Sequence, residues 1–483
     1  MSKLNNNKKF VCLAAVIISI GLTGCDQKIQ PKSQIGSTSE TIRIAIGTQD
    51  TTINCATGGL LIRELDLLPK YLPKDAEYEN VKYDIQWKNF TSGAPLTSEM
   101  VAERLDIGAM GEFPAVNNFV AFQKMAKRSL FINPLSGSTT GSGNAIVVPT
   151  DSTVNSIENL KGQTISVPFA SSAHGLLLRV INEQGWVLGK DITVIAQTPE
   201  IAGPSLKSKS ISAHADFVPF GELFAYQGFA RKIYDGSQAK IPTFHGTIVR
   251  HDFAAKHPRI ITAYLQASIE ADQRIQKEPE KYSQLIADKT GVPAEVVYLF
   301  HGPLGLQTRD FTWKKEYRQA TQQAVSSLKI LGKNDIDVDV NQFIQDTYIK
   351  EAFKASNLDY SAALNNYGKA ALIANDALTG KPITSFKYVT QVWVSGEEKV
   401  RSYASIEHAF RDMKTLQKEG KQLRVVYSQD FHSDIKMLSN LAWFATNQAG
   451  KIHAFLLQSD AQDWAKKNGG QIYDFKVAQQ LVK

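Results

Sequence analysis

The sequence predicts an α/β protein built on mainly parallel sheet, followed by a smaller α+β unit, and three observations predict it. From Thr41 onward, short β-branched runs alternate with stretches of helical spacing. Those runs end on glycine, serine or an acid rather than in hairpin turns. Near Asp376 the composition turns to Gly, Pro and Thr, and the strands beyond it are joined by short turns.

The elements follow in order. "TIRIAIGTQD" alternates Ile42, Ile44 and Ile46 and then breaks into Gly47-Thr48-Gln49. "YDIQWKNF" repeats the strand signal, and "LTSEMVAERL" carries Met100, Val101 and Leu105 near helical spacing. "LDIGAMGEFPAV" is a short apolar strand ending at Gly111-Glu112. "NAIVVP", "QTISVP", "ITVIAQTP" and "AHADFVPF" read as further strands, each separated by a helical stretch. "HDFAAKHPRIITAYLQASIEADQRI" sets Ile261, Leu265 and Ile269 four apart, opening a helical region that runs to about Ala374.

The last hundred residues carry a different pattern. "VTQVWVSGEEKVRSY" reads as a hairpin, and Ile406, Phe410, Met413 and Leu416 share one helical face. "RVVYS" and "KIHAFLLQ" are strands, Ser459 with Gln462 forms a capping box for "DAQDWAKKN", and "QIYDF" is the last strand.

The amino terminus does not belong to these units. Lys3, Lys8 and Lys9 precede the apolar run Phe10 to Leu22, too short for a bilayer span and flanked as an export signal is. Leu22-Thr23-Gly24-Cys25 resembles the bacterial lipobox, which implies cleavage before Cys25, a lipid on that cysteine and anchorage to a membrane. Residues 1–24 are then a lipoprotein signal peptide and 25–40 a polar tether. Asp26 resembles the residue that retains lipoproteins at the inner membrane, so the expected place is its periplasmic face.

Removal of three lysines with the signal takes the formal charge from +7 to +4, a mild balance that argues against a nucleic-acid partner. Cys25 and Cys55 are then the remaining cysteines, so neither a disulfide framework nor a CxxC metal or redox pair is available. No GxSxG elbow accompanies the histidines, which argues against serine hydrolase chemistry.

Polar groups gather where the strands end: Thr48 and Gln49, Gly111 and Glu112, Ser171 and Ser172, and Phe220 to Glu222. Ligands of open α/β sheets bind at such carboxyl ends, where backbone N–H groups and helix amino termini point outward. Ser171 and Ser172 stand at an expected helix start with His174 in its first turn, a setting suited to an anionic head group. Taken singly, each also reads as an ordinary turn or capping residue.

From Thr41 to about Asp376 the chain resembles the periplasmic substrate-binding proteins of the nitrate, sulfonate and taurine ABC importers. The resemblance is carried by "RIAIGTQD", "RLDIGAMGEFPAV", "IENLKGQTISVPFASSAHGLLL", "ADFVPF" and "VRHDFAAKHPRIITAY". It implies a type II fold of two lobes, residues 41–376 with a second lobe at about 137–240, and a non-enzymatic role. The implied role is to bind a small organic solute, sulfonate or taurine-like, and hand it to a permease and its ATPase, as a monomer and without a cofactor. Carried over by position, the pocket holds Thr48, Gln49, Gly111, Glu112, Ser171, Ser172, His174, Phe220, Glu222 and His245. Three of these depart from the taurine branch: Glu112 stands for a hydroxyl, Phe220 for a tryptophan or its neighbour, and His245 for an aspartate. Carboxylates facing an anion need partners, so an amine, a zwitterion or a metal complex fits this set as well as a sulfonate.

After a linker at 377–386, residues 387–483 resemble the nitrous oxide reductase accessory lipoproteins (NosL) through "QVWVSGEEKVRSYASIEHAF" and "HAFLLQSDAQDWAKKNGGQIYDF". That family is associated with copper delivery, which would make this chain a metallochaperone or sensor instead. The family's Cys-Met motif is missing here. His408, Met413, His432, Met437 and His453 are the weak metal-ligand candidates, with a core place for Met413 and surface places for the histidines as the plainer alternative.

Overall fold

The computed structural model describes residues 40–330, 338–368 and 372–482. The expected signal peptide, Cys25 and nearly all of the tether lie outside the described residues. Among those that are described, no helix is long and apolar enough to cross a membrane.

The first lobe is a six-stranded sheet. β1 (Thr41–Thr48) runs parallel to β2 (Lys82–Asn89) on one side and to β3 (Ile107–Gly111) on the other. Ile42, Ile44 and Ile46 of β1 are buried on one face, and from Ala45 onward the other face is buried as well. β4 (Ser129–Ser138) leaves this sheet for the second lobe. There β5 (Ala145–Pro149), β6 (Thr164–Val167), β7 (Thr193–Ala196), β8 (Ala213–Asp216) and β9 (Ala230–Asp235) form a five-stranded sheet in the order β7-β6-β8-β5-β9. The chain returns along β10 (Thr243–Arg250), which lies between β3 and β4, and the short β11 (Thr308–Arg309) closes the first sheet's edge.

The parallel pairs are β1 with β2 and β3, and β6 with β7 and β8; the strands that carry the chain between lobes, β4 and β10, are antiparallel. β5 and β9 also pair antiparallel, so both sheets are mixed. Residues that leave a lobe and come back must run in opposite senses, a constraint that hydrophobic periodicity does not carry.

The crossing at residues 138–144 is compact. Ser138 Oγ accepts hydrogen bonds from the N–H groups of Gly141 (3.0 Å) and Ser142 (3.1 Å). Gly141 (φ +98°) and Gly143 (φ +116°) occupy backbone regions open to glycine, with the carbonyl of Ile241 and the amide of Gln307 filling the space a Cβ would need.

The helix Pro258–Lys277 starts with its proline at the first position and buries Ile261, Leu265 and Ile269 against the first lobe. The helix Lys315–Ile330 lies against both the helix Glu112–Lys124 of the first lobe and the helix Ser172–Glu183 of the second.

The carboxyl-terminal part holds two small antiparallel sheets. β12 (Thr390–Val394), β13 (Arg401–Tyr403), β14 (Leu423–Gln429) and β15 (Lys436–Leu438) make one, in the order β13-β12-β14-β15. β16 (Trp443–Thr446), β17 (Ile452–Phe455) and β18 (Ile472–Tyr473) make the other. The helix Ile406–Lys418 buries Ile406, Phe410, Met413 and Leu416 on one face. The expected capping box at Ser459 is absent: the helix Gln458–Asn468 starts two residues earlier, with Leu457 before it and no side-chain cap.

This part is fused to the rest through an aromatic joint. Tyr298 packs against Trp393 (ring centroids 5.4 Å apart) and Tyr427 (5.6 Å), and Lys436 Nζ lies 4.1 Å over the Tyr298 ring. Tyr427 Oη donates to the Glu295 carbonyl at 2.8 Å, and Arg424 pairs with the Glu295 carboxylate at 2.7 Å. The Gly/Pro/Thr stretch is also held: the buried Asp376 carboxylate accepts from the N–H groups of Leu378 and Ala404 and from His408 Nδ1.

Candidate functional site

Two helices start at the same point, one from each lobe. β3 ends at Gly111, and Glu112 opens the helix Glu112–Lys124; across the gap, Ser171 caps the helix Ser172–Glu183 by accepting from His174 N–H at 3.2 Å. Ser172 Oγ donates to Glu112 Oε2 at 3.2 Å, so the lobes meet through this pair. Both amino termini direct partial positive charge at the Glu112 carboxyl, which fills the place an anion would take.

Glu112 receives further donors from β10: Thr243 Oγ1 at 3.2 Å and Phe244 N–H at 3.2 Å. These lower its pKa, but complete burial outweighs them and lifts it to about 7. Near neutrality the group therefore exists in both forms, an acceptor for an ammonium or amide when ionised and a donor to an oxyanion when protonated.

Gly111 is where a third element joins. His245 of β10 is its register partner, and a Cβ on Gly111 would lie 2.5 Å from Ser172 Oγ and 3.4 Å from His245 Nε2. The φ of Gly111 is −69°, so space rather than backbone freedom requires glycine. His245 Nδ1 lies 3.4 Å from Asn54 Nδ2; Asn54 also donates to Gln307 Oε1, and Gln307 Nε2 donates to the Ser142 carbonyl at 2.7 Å. Burial pulls the His245 pKa down to about 4, leaving a neutral ring that accepts through Nδ1. His301, its pKa brought down to about 3 by burial, contacts the Ile53 carbonyl at 3.1 Å.

A cavity of about 320 Å³ opens from this junction, lined by Glu112, Ser172, Asn144, Thr243, Arg179 and the Gln323 side of the helix Lys315–Ile330. Asn144 Oδ1 and Gln323 Oε1 are buried there without a hydrogen-bond partner among the described residues. The volume is in the range of small-molecule sites, and its wall carries Arg179 paired with Glu183 at 2.8 Å.

Of the ten residues read from the sequence, Gly111, Glu112, Ser172 and His245 converge here. Ser171 and His174 support them: Ser171 Oγ donates to the Pro168 carbonyl at 2.6 Å, and His174 Nδ1 accepts from Ala170 N–H at 3.1 Å while its ring stacks on Phe169 at 4.7 Å. Gln49 commits its amide to the Ala109 carbonyl at 2.9 Å, bracing β1 against β3, and Thr48 packs over Gly59. Phe220 lies among Phe217 and Phe224 in an apolar cluster. Glu222 departs from the expectation: it pairs with Lys232 of β9, which also pairs with Asp235 at 2.8 Å, and it faces the carboxyl-terminal part instead of Glu112. Its helix Phe220–Tyr226 turns it toward β9, where a buried cation neutralises it.

Asn54, Asn144, Arg179, Thr243 and Gln307 were not anticipated. Thr243 had a signal, since it lies two residues before His245 on one strand and so on the same face. Asn54 and Gln307 are 253 positions apart and meet only through the fold.

The five weak metal candidates occupy separate settings. His408 bonds Asp376, Met413 and Met437 are buried in apolar packing, His432 lies 3.8 Å from Asp460, and His453 sits between Phe431 and Trp464, each 4.4 Å away. Among the described residues, no group of three or more His, Cys, Asp or Glu is placed to hold a metal ion.

The arrangement of lobes matches solved structures. The periplasmic aliphatic sulphonate binding protein of Escherichia coli superposes with a TM-score of 0.50 at 25% identity, over 64% of this chain and 92% of that one. The periplasmic nitrate-binding protein of Synechocystis gives a TM-score of 0.53 at 14% identity, over 70% of this chain and 93% of its own. This is the two-lobed fold of the periplasmic binding proteins. The sequence relatives agree with it. The taurine-binding periplasmic protein of Escherichia coli K12 is 29% identical over 219 residues, 43% of this chain and 65% of that protein. A putative aliphatic sulfonates-binding protein of the same organism is 26% identical over 272 residues, 55% of this chain and 77% of the other. The chain thus spans just under two thirds of the taurine-binding relative. These relatives are binding proteins, not enzymes. No protein-family model matches the chain.

Proposed function

We propose that this chain is the solute-binding component of an ABC importer, taking a small sulfonate or taurine-like compound between its lobes and delivering it to a permease. The observation that carries this reading is the Glu112–Ser172 contact, which joins two helix amino termini from opposite lobes at one buried carboxyl. A zwitterion of the taurine kind suits both halves of that junction. Its ammonium pairs with Glu112 at the two helix starts, and its sulfonate reaches along the cavity wall to Arg179, in competition with Glu183. Solute binding is coupled to lobe closure, because the groups that receive it come from both lobes.

The lipobox-like Leu22-Thr23-Gly24-Cys25 supports a lipid anchor on Cys25 that holds the protein at the periplasmic face of the inner membrane, beside its permease. In this reading residues 1–24 are removed, 41–376 bind the solute and 387–483 form an appended module.

Isothermal calorimetry against taurine, short alkanesulfonates and nitrate tests the reading. Saturable 1:1 binding of one of them, weakened about tenfold or more by Ser172→Ala, is the expected result. Absence of binding by all three classes in a folded, ligand-stripped protein overturns it.

A further inference from the structure

Glu222 is a strand-end acid that the interlobe site does not use, and its surroundings form a second cavity. That cavity, about 280 Å³, lies between the second lobe and the carboxyl-terminal part. For comparison, an engineered apolar cavity of about 150 Å³ takes up benzene. Its walls are largely apolar: Leu299 and Leu306 come from the main body, and Leu438, Leu441, Trp443 and Leu457 from the carboxyl-terminal part. Leu441, 37% exposed, stands at the rim.

One end is polar and buried. Glu222 is 5% exposed, and its Oε1 is paired with Lys232. Its Oε2 has no hydrogen-bond partner among the described residues. Glu222, Lys232 and Asp235 together leave one negative charge when all are ionised. The wall also carries two further cations and one further acid, so that Arg231, Lys232 and Lys436 together balance Glu222, Asp235 and Asp474. Arg231 donates to the carbonyls of Ser152 and Val154 and to Asn155 Oδ1. Lys436 donates to the Pro303 carbonyl and lies over the rings of Tyr298 and Tyr427. Asp474 accepts from Val477 N–H at the start of its own helix. A buried carboxylate oxygen with an unused lone pair calls for a donor, and an ammonium is the strongest donor it can take.

We propose that this cavity is a second ligand site, distinct from the interlobe cleft, for a small primary amine with an apolar alkyl or aryl body. The ammonium donates to Glu222 Oε2, and the body lies against Leu299, Leu438 and Trp443. Because the walls come from the second lobe and from the carboxyl-terminal part, occupancy also holds the two together.

The test is a calorimetric titration of the full chain with 2-phenylethylamine, alongside 3-phenylpropionate, which keeps the ring and reverses the charge. Expected is saturable 1:1 binding of the amine, at least about tenfold tighter than the acid, and a loss of about tenfold or more in Glu222→Gln. Leu441→Trp, which fills the rim and leaves the Glu222–Lys232–Asp235 group intact, is expected to abolish binding and serves if Glu222→Gln does not fold. Absence of saturable binding, equal binding of amine and acid, or binding that survives either folded variant overturns the proposal. So does loss of amine binding in Ser172→Ala, since that would place the amine in the cleft. The importer reading is tested separately by taurine and sulfonate titration, so either can fail alone.

Discussion

Ser172 Oγ occupies the space that a side chain on Gly111 would need: a Cβ built there would lie 2.5 Å from it. The serine belongs to the second lobe and the glycine to the first, so their contact is a direct gauge of closure.

Gly111→Ala is therefore expected to hold the lobes apart. Turning Ser172 Oγ aside would relieve the overlap but would break its hydrogen bond to Glu112, and the His245 ring 3.4 Å away limits any shift to the other side. Overpacking of this kind costs about 1–3 kcal/mol. Small-angle scattering should show a larger radius of gyration, and solute affinity should fall about fivefold or more. An unchanged radius and affinity would show that closure does not pass through this contact.

Glu112 predicts a pH dependence. Its folded-state pKa of about 7 lies above its ordinary value of 4.5, so between those values the folded protein keeps a proton that the unfolded chain releases. Stability from this group is thus greatest in acid and falls as pH rises through that window, by up to about 3 kcal/mol. Glu112→Gln should remove that slope. Chemical denaturation of both proteins from pH 4 to 8 measures it, and parallel slopes would refute the assignment.

These two residues also show how far the sequence could be read. Gly111-Glu112 and Ser171-Ser172 were legible because period-two runs stop abruptly on small or polar residues, and a strand end in an α/β sheet is where a ligand site forms. Glu222 gave the same signal but went elsewhere. Its partners Lys232 and Asp235 lie on β9, and no local pattern indicates which acid a distant buried lysine will neutralise. The antiparallel sense of β4 and β10 and the Tyr298–Trp393–Tyr427 joint were illegible for the same reason, since each is a relation between segments far apart in the chain.

His245 predicts a slope of the opposite sign. Burial sets its folded-state pKa at about 4, below its ordinary value of 6.5, so across that interval the unfolded chain binds the additional proton. Stability from this group is complete above pH 6.5 and is lost as pH falls toward 4. It cancels the Glu112 slope between about 4.5 and 6.5, leaving a net decline from about 6.5 to 7. His245→Gln should remove the loss on the acid side, and the ring's NMR titration should have its midpoint near 4. A midpoint near 6.5 would mean that the ring is solvated and takes no part in the junction.

The aromatic joint yields the last prediction. Trp393 is buried against Tyr298, its ring is covered by Arg424 at 4.2 Å, and it belongs to the main hydrophobic core although it lies on β12. Trp393→Ala deletes that shared packing at a cost of about 3–5 kcal/mol. The two small sheets keep their own core of Val392, Tyr403, Phe410 and Phe444, so the loss should fall on the joint rather than on either part's interior. The expected outcome is a second, lower unfolding transition by calorimetry and faster amide exchange across the Tyr298–Tyr427 contact. Solute binding at the Glu112–Ser172 junction should stay within about twofold of the parent, because that junction is built from the two lobes alone. A single transition lowered as a whole would instead mean that the carboxyl-terminal part folds only together with the lobes, and that the solute-binding unit includes it.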